Sequence, residues 1–245
     1  MPGYPGTTTG VGDVLVDLDP NWNPVWVWNT FDHFDVNRHL MGLPDWTHSN
    51  AIIYNPADGN LMLSIRHQSW IVGIDYANGV GTGNILWHLG EGGDYQLAGG
   101  DPSQWFYAEH DPTLISTAGT QTTLAVFDNG NLRVEDLTGT VCGNPPAPAC
   151  YSRATVFQFD SSTKQAQLLW QDTPGFFSYW GGAIFQLANG NIEFDMTAPF
   201  TTPGSRVMEV TQTATPELVW QMDIMGGFSY RAYRIPSLYP GVAWP

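Results

Sequence analysis

Apolar and polar residues alternate along this chain in short runs, and Gly, Asn, Asp and Pro interrupt the runs at close intervals. A period of two is the pattern of strands with one face buried. Four runs share one phrase: a β-rich segment ending near Asp or a turn, a polar gap, then an apolar strand ending in Trp. They are VLVDLDPNWNPVWVW (14–28), IVGIDYANGVGTGNILW (71–87), TVFQFDSSTKQAQLLW (155–170) and VMEVTQTATPELVW (207–220). Each predicts a hairpin, because alternating strands flank a turn-rich centre. Between them, NAIIYNPADGNLMLSI (50–65), PTLISTAGTQTTLAVFDNG (112–130) and GGAIFQLANGNIEFDM (181–196) predict three more.

Two hairpins make a four-stranded sheet. Repeating that unit with Trp28, Trp87, Trp170 and Trp220 as landmarks predicts an all-β chain of propeller blades. About four blades are visible, the last ending in FSYRAYRIPSLYPG (228–241). A β-sandwich also has many short strands, but nothing in it calls for the recurring Trp phrase. No linker interrupts the pattern, so residues 1–245 are expected to form one propeller domain. Four blades close a ring only with difficulty. Either N-terminal blades are missing or a partner, a second copy of the chain included, completes it.

Charge removes whole classes of function. One lysine, Lys164, and seven arginines face twenty-three carboxylates, for a formal net charge of -15. Nucleic acid and anionic membrane surfaces are therefore excluded as partners. No run is long enough for a membrane helix, and residues 1–10 hold no basic-then-apolar leader. The expectation is that a leader was removed or that the chain begins inside a longer protein. Cys142 and Cys150 bracket VCGNPPAPAC, a loop able to fold back into a short disulfide. That pairing implies an oxidising compartment, periplasmic or secreted; two unpaired thiols are the alternative.

All six histidines lie in the first 110 residues. Imidazole is the side chain best suited to move a proton or attack an electrophile near neutral pH. His48 in DWTHSN (45–50) and His110 in AEHDP (108–112) each precede a strand, and equivalent positions in successive blades face one channel mouth. Arg66 and His67 are adjacent in SIRHQS, where strand alternation sets them on opposite faces, one toward the channel. His33, His39 and His88 read as structural. Arg133 follows the tight turn FDNGN, and its planar fork suits two oxygens of a phosphate or sulfate. No HxH or HxxxH pair, calcium loop or Gly-rich phosphate loop followed by Lys occurs, so no metal and no cofactor are expected.

DWTHSNAIIYNPADGNLMLSIRHQSWIVGID, ILWHLG, EHDP, AVFDNGNLR and SRATVFQFD, in that order, resemble the bacterial arylsulfotransferase family, the PAPS-independent sulfotransferases. The likeness runs from about residue 11 to the C-terminus. It implies a periplasmic six-bladed propeller with a short disulfide, moving a sulfuryl group from a phenol ester to another phenol through a sulfated histidine. By resemblance, His48 matches the histidine of the DWxHxN motif, His110 that of QHD, here with Glu109 for Gln, and Arg133 the arginine after FDNG. Those three are the catalytic candidates; Arg66, His67 and Asn50 are the substrate-binding ones, and an aryl sulfate and a phenol are the partners. The family's nucleophilic histidine lies downstream of the SR motif, and here that stretch (176–191) has none. Three outcomes stay open: His48 or His110 as nucleophile, direct transfer in line, or binding without turnover.

Overall fold

The computed structural model describes residues 9–199, 201–235 and 237. Fifteen strands follow one another along it: β1 (Val14–Leu18), β2 (Pro24–Asn29), β3 (Ser49–Asn55), β4 (Asn60–Ile65), β5 (Trp70–Ile74), β6 (Ile85–Leu89), β7 (Gln96–Leu97), β8 (His110–Ala118), β9 (Gln121–Asp128), β10 (Arg153–Asp160), β11 (Gln165–Asp172), β12 (Ala183–Gln186), β13 (Ile192–Met196), β14 (Gly204–Val210) and β15 (Leu218–Met225). All seven hairpins expected from the alternation are present.

The hairpins pair as the repeat requires. Strands β3 to β6 form one antiparallel meander and β12 to β15 another; β8 to β11 form a third, whose outer edge gains β7 in parallel. The first unit holds only β1 and β2. The described part of 228–241 adds no strand; 236 and 238–241 lie outside the described residues. Side chains tie that segment down instead: Arg234 reaches Glu193 and Glu209, and Tyr233 donates to Asp111. No sheet closes on itself as a barrel.

Each successive pair of sheets encloses a core. Leu15 and Trp28 pack on Leu63, Ile65, Val72 and Ile74. Met62, Ile71 and Leu89 pack on Leu124, Val126, Phe157 and Phe159, and Ala125, Phe127 and Val156 on Ile184, Phe194 and Met208. Sheets covered on both faces explain the nearly unbroken burial of β5, β9 and β10. Each large apolar side chain removed from water there contributes about 1.5–3 kcal/mol.

The landmark tryptophans all lie on the last strand of their unit, the fourth for Trp87, Trp170 and Trp220 and the second for Trp28. The Trp28 indole donates to the Gly83 carbonyl at 2.8 Å in the β5–β6 loop, and Trp170 to Thr213 at 2.9 Å in the β14–β15 loop. Thus the same indole-to-loop bond joins two different pairs of neighbouring sheets. Strands β3 and β12 each pack against β8, so the first strands of the three complete units sit together. The histidine-bearing segments lie at their starts.

Cys142 and Cys150 form a disulfide with a Cα separation of 5.0 Å. The closed loop lies against the turn after β9, where the Cys142 N–H donates to the Arg133 carbonyl. Closing so short a loop restricts the unfolded chain by about 2–3 kcal/mol. The double variant Cys142→Ser, Cys150→Ser is therefore expected to melt roughly 5–10 °C lower, at 2–4 °C per kcal/mol for a chain of this size. An unchanged midpoint in a thermal scan would mean that the loop is held by its other contacts.

Candidate functional site

The segment before β3 is built around His48. Its backbone lies in the left-handed region, with φ of +51°, an arrangement that costs a non-glycine residue and needs enforcing. Asp13 enforces it from both sides, accepting from the Thr47 hydroxyl at 2.6 Å and the Ser49 N–H at 2.7 Å. The His48 ring is fixed in turn. Its Nδ1 bonds the Asp45 carboxylate, and its face stacks on His67 with centroids 4.6 Å apart and 19° between planes. A carboxylate only accepts, so Nδ1 carries the hydrogen and neutral His48 keeps its lone pair on Nε2. The side chain is 41 % exposed, and Nε2 has no hydrogen-bond partner among the described residues.

Arg66 and His67 lie side by side, which corrects the expectation from strand alternation. Strand β4 ends at Ile65, and Arg66–Gln68 form a single 3-10 turn closed by Ser69 at φ +50°. A turn of three residues sets neighbours next to each other rather than on opposite faces. One guanidinium nitrogen of Arg66 lies 2.7 Å from His67 Nε2, and the other donates to the Tyr179 carbonyl. Arg66 can only donate, so His67 accepts at Nε2 and donates from Nδ1 to the Asp45 carbonyl. Burial, and then the charge of Arg66, push the His67 pKa down. The Arg66 Nε–H is buried without a partner.

Glu109, His110 and Asn50 lie close by but are committed to holding the site. The Asn50 amide donates to the Glu109 carbonyl, and its oxygen accepts from the Asp111 N–H, locking β3 to β8. His110 is 1 % exposed. Its Nδ1 donates to the Asn129 side-chain oxygen at 2.7 Å, and its Nε2 accepts from the Gly181 N–H at 3.3 Å. The Asn129 amide nitrogen bonds two carbonyls, of Ser178 and Gly181, which fixes its oxygen toward His110. Burial lowers the His110 pKa to about 3. His110 is thus neutral near pH 7 with both nitrogens engaged, whereas Asn50 stays half-exposed and lines a cavity with Asp13, Asp111 and Arg231.

Arg133 departs furthest from the sequence reading. It is fully buried and paired with Asp128 at 2.8 Å, and it donates to the carbonyls of Ser103, Trp105 and Tyr151. Arg153 reaches the same Asp128 oxygen at 2.7 Å. The FDNG turn does take positive φ, at Gly130 and Leu132, but it aims Arg133 inward. Its guanidinium braces the loop that carries Asn129 and is closed to solvent. Of the remaining histidines, His33 stacks on Trp28 and His88 bonds Asp94.

The structure therefore brings together His48, His67 and Arg66, and it adds Asp45, Asp13 and Arg231. Arg231 pairs with Asp111 at 2.8 Å and donates to the Asn50 carbonyl. Asp45 stands three residues before His48, a separation that could have flagged a carboxylate–imidazole pair. Asp13 and Arg231 reach the site over distances in sequence that no local pattern reports. Asp45, His48 and His67 offer one donor atom each within 4.8 Å of one another, a set that suits a divalent metal in kind. The permanent charge of Arg66 against His67 favours an anion there instead.

Comparison with known proteins agrees with the sequence motifs. The family model described as Arylsulfotransferase (ASST) matches residues 3–231. No curated protein matches the chain.

Proposed function

The chain belongs to the arylsulfotransferase family, and from that premise we propose that it moves a sulfuryl group from a phenolic sulfate ester to a phenol at the Arg66, His67, His48 and Asp45 cluster. The observation that carries this reading is the buried Arg66 guanidinium against His67, the ring on which the half-exposed His48 stacks. Sulfuryl transfer resembles phosphoryl transfer: a loose transition state spreads charge over peripheral oxygens, and a fixed cation with a spare N–H stabilises it. Arg66 takes the clamping role that the sequence gave to Arg133. Its guanidinium is held by His67 and the Tyr179 carbonyl, which fixes the charge in place.

In the same reading the sheets are blades of a propeller and the site lies at one mouth of its axis. The recurrent Trp28 and Trp170 bonds between neighbouring sheets and the grouping of β3, β8 and β12 support that architecture. A disulfide favours an extracytoplasmic location, periplasmic or secreted. Among the described residues no helix is long and apolar enough to cross a membrane.

The test is incubation with p-nitrophenyl sulfate and a phenol acceptor, following p-nitrophenol release and the new ester. Arg66→Met, which keeps the bulk of the stem, is expected to lower kcat/KM by about 10²–10³-fold, the usual loss for a donor aimed at developing charge. A folded wild type that releases no phenol would leave a second reading, a propeller that binds without turnover. The histidine-free stretch 176–191, where Gly181 offers its N–H to His110, is what favours that alternative. Release that does not depend on the acceptor would instead mark a hydrolase of aryl esters.

A further inference from the structure

We infer that an aromatic wall built from two copies of one local motif, Tyr179 with Trp180 and Phe228 with Tyr230, binds the ring system of an anionic aromatic ligand and selects fused rings over a single one. The inference rests on the sulfuryl-transfer reading and deepens it, because the wall stands beside Arg66.

The tripeptide FSY occurs twice, at 177–179 and 228–230. Each copy follows the last strand of a complete unit, β11 or β15, and the same hydrogen bonds hold both. The Ser178 N–H donates to the Ser152 hydroxyl at 2.9 Å, that hydroxyl lies 3.3 Å from the Ser178 carbonyl, and the Ser178 hydroxyl donates to the Trp180 carbonyl at 3.3 Å. In the second copy Ser229, Ser205 and Arg231 repeat the three contacts at 2.7, 3.4 and 2.9 Å. Ser152, Ser178 and Ser205 are fully buried, so each cradle is anchored in the interior.

The cradles fix the rings they carry. Trp180 links the two copies: its ring lies 5.6 Å from Phe228 at 65°, 6.4 Å from Tyr230 at 26°, and 6.4 Å from Tyr179. Tyr230 is steadied further by the edge of His110 at 6.0 Å and by the Arg231 guanidinium 5.1 Å from its centroid. These rings are nevertheless open to water. Tyr179 is 53 % exposed, Phe228 52 % and Tyr230 46 %, while Trp180 is partly covered. Aromatics held rigid and left in solvent form an unused binding surface, since each buries about 150–250 Å² when covered and loses little side-chain freedom.

What that surface takes follows from its neighbours. Arg66 donates to the Tyr179 carbonyl, which sets a permanent charge at the edge of the wall. The groups bonded to that guanidinium, His67 and the carbonyl, are neutral and leave the charge in force. A ring bearing an anionic substituent therefore meets both parts of the site, the ring on the wall and the anion toward Arg66. One phenol ring covers only part of four aromatic side chains. A fused pair covers more, and each added ring contact is worth about 2–12-fold in affinity.

The test uses sulfonates, whose carbon–sulfur bond gives no sulfuryl group to a phenol, so that binding is read apart from turnover. Calorimetric titration of the wild-type protein with 2-naphthalenesulfonate, benzenesulfonate and cyclohexanesulfonate is expected to rank them in that order, with about 5–10-fold between the first two. Trp180→Leu and, at a more exposed position, Phe228→Leu keep apolar bulk but remove a ring face. Each should weaken the naphthyl ligand by about 3–10-fold and leave the cyclohexyl one unchanged. Arg66→Met should weaken all three alike. Absent or equal binding of the three sulfonates, or a ranking that neither leucine variant alters, would overturn the inference and leave the transfer reading to the p-nitrophenyl sulfate assay. Ring-selective binding by a folded protein that releases no p-nitrophenol would support the wall and overturn the transfer reading instead.

Discussion

Asp128→Asn is expected to lower the unfolding free energy by about 3 kcal/mol, toward the lower end of what breaking a buried ion pair costs. One oxygen of this fully buried carboxylate lies 2.8 Å from Arg133 and 2.7 Å from Arg153, and the other accepts the Tyr107 N–H. An amide keeps the shape and the Tyr107 bond, yet leaves two guanidinium charges in the interior with no anion. Backbone carbonyls of Ser103, Trp105 and Tyr151 still solvate them, which keeps the loss from being larger. Turnover should fall as well, because the next residue, Asn129, holds His110 and through it the Gly181 backbone. Urea unfolding at constant slope measures the first effect. Asp223→Asn is the control: its partner Arg206 lies at the surface, where a pair is worth about 0–1 kcal/mol. Equal losses in the two variants would mean that the double pair does not carry the loop.

That carboxylate also marks where the sequence stops being legible. The hairpins could be read because their signal is local: alternation every second residue and turns rich in Gly and Asn, as at Gly59 between β3 and β4. The Trp landmarks could be read for the same reason. The commitments of polar groups could not. Arg133 stands in the right turn, but Asp128, five residues back, and Arg153, twenty residues on, absorb it into a buried network. Asn50 sits in a site motif yet spends its amide on β8. Arg66 and His67 were separated by an assumption of continued strand, whereas one 3-10 turn unites them. The chemistry-bearing residue types were visible in the sequence; which of them keep an unused donor or lone pair depends on partners up to 181 residues away, as for Asn50 and Arg231.

Glu109→Gln is expected to make the protein more stable in alkali by about 2–5 kcal/mol while leaving it nearly unchanged near pH 5. Burial raises the Glu109 pKa from 4.5 to about 8, with Ser64 the partner of one oxygen and the other without a partner. The folded protein therefore holds a proton that the unfolded chain has lost between those values. Stability must fall as pH rises through that window, and above pH 8 the full penalty of a buried carboxylate is present. Gln carries no proton to lose, so its variant lacks this decline. His110 gives the opposite slope: with its pKa lowered to about 3, the unfolded chain binds the extra proton, and stability falls as pH drops from 6.5 toward 3. Both variants of position 109 should share that acid limb. Near neutral pH a protonated Glu109 presents a neutral acid where the resembling motif carries Gln, and it leaves the positive field of Arg66 intact. Urea midpoints at pH 5, 7 and 9 decide the matter: parallel profiles for Glu109→Gln and wild type would mean that Glu109 is already ionised in the folded protein and that Arg66 is paired to it.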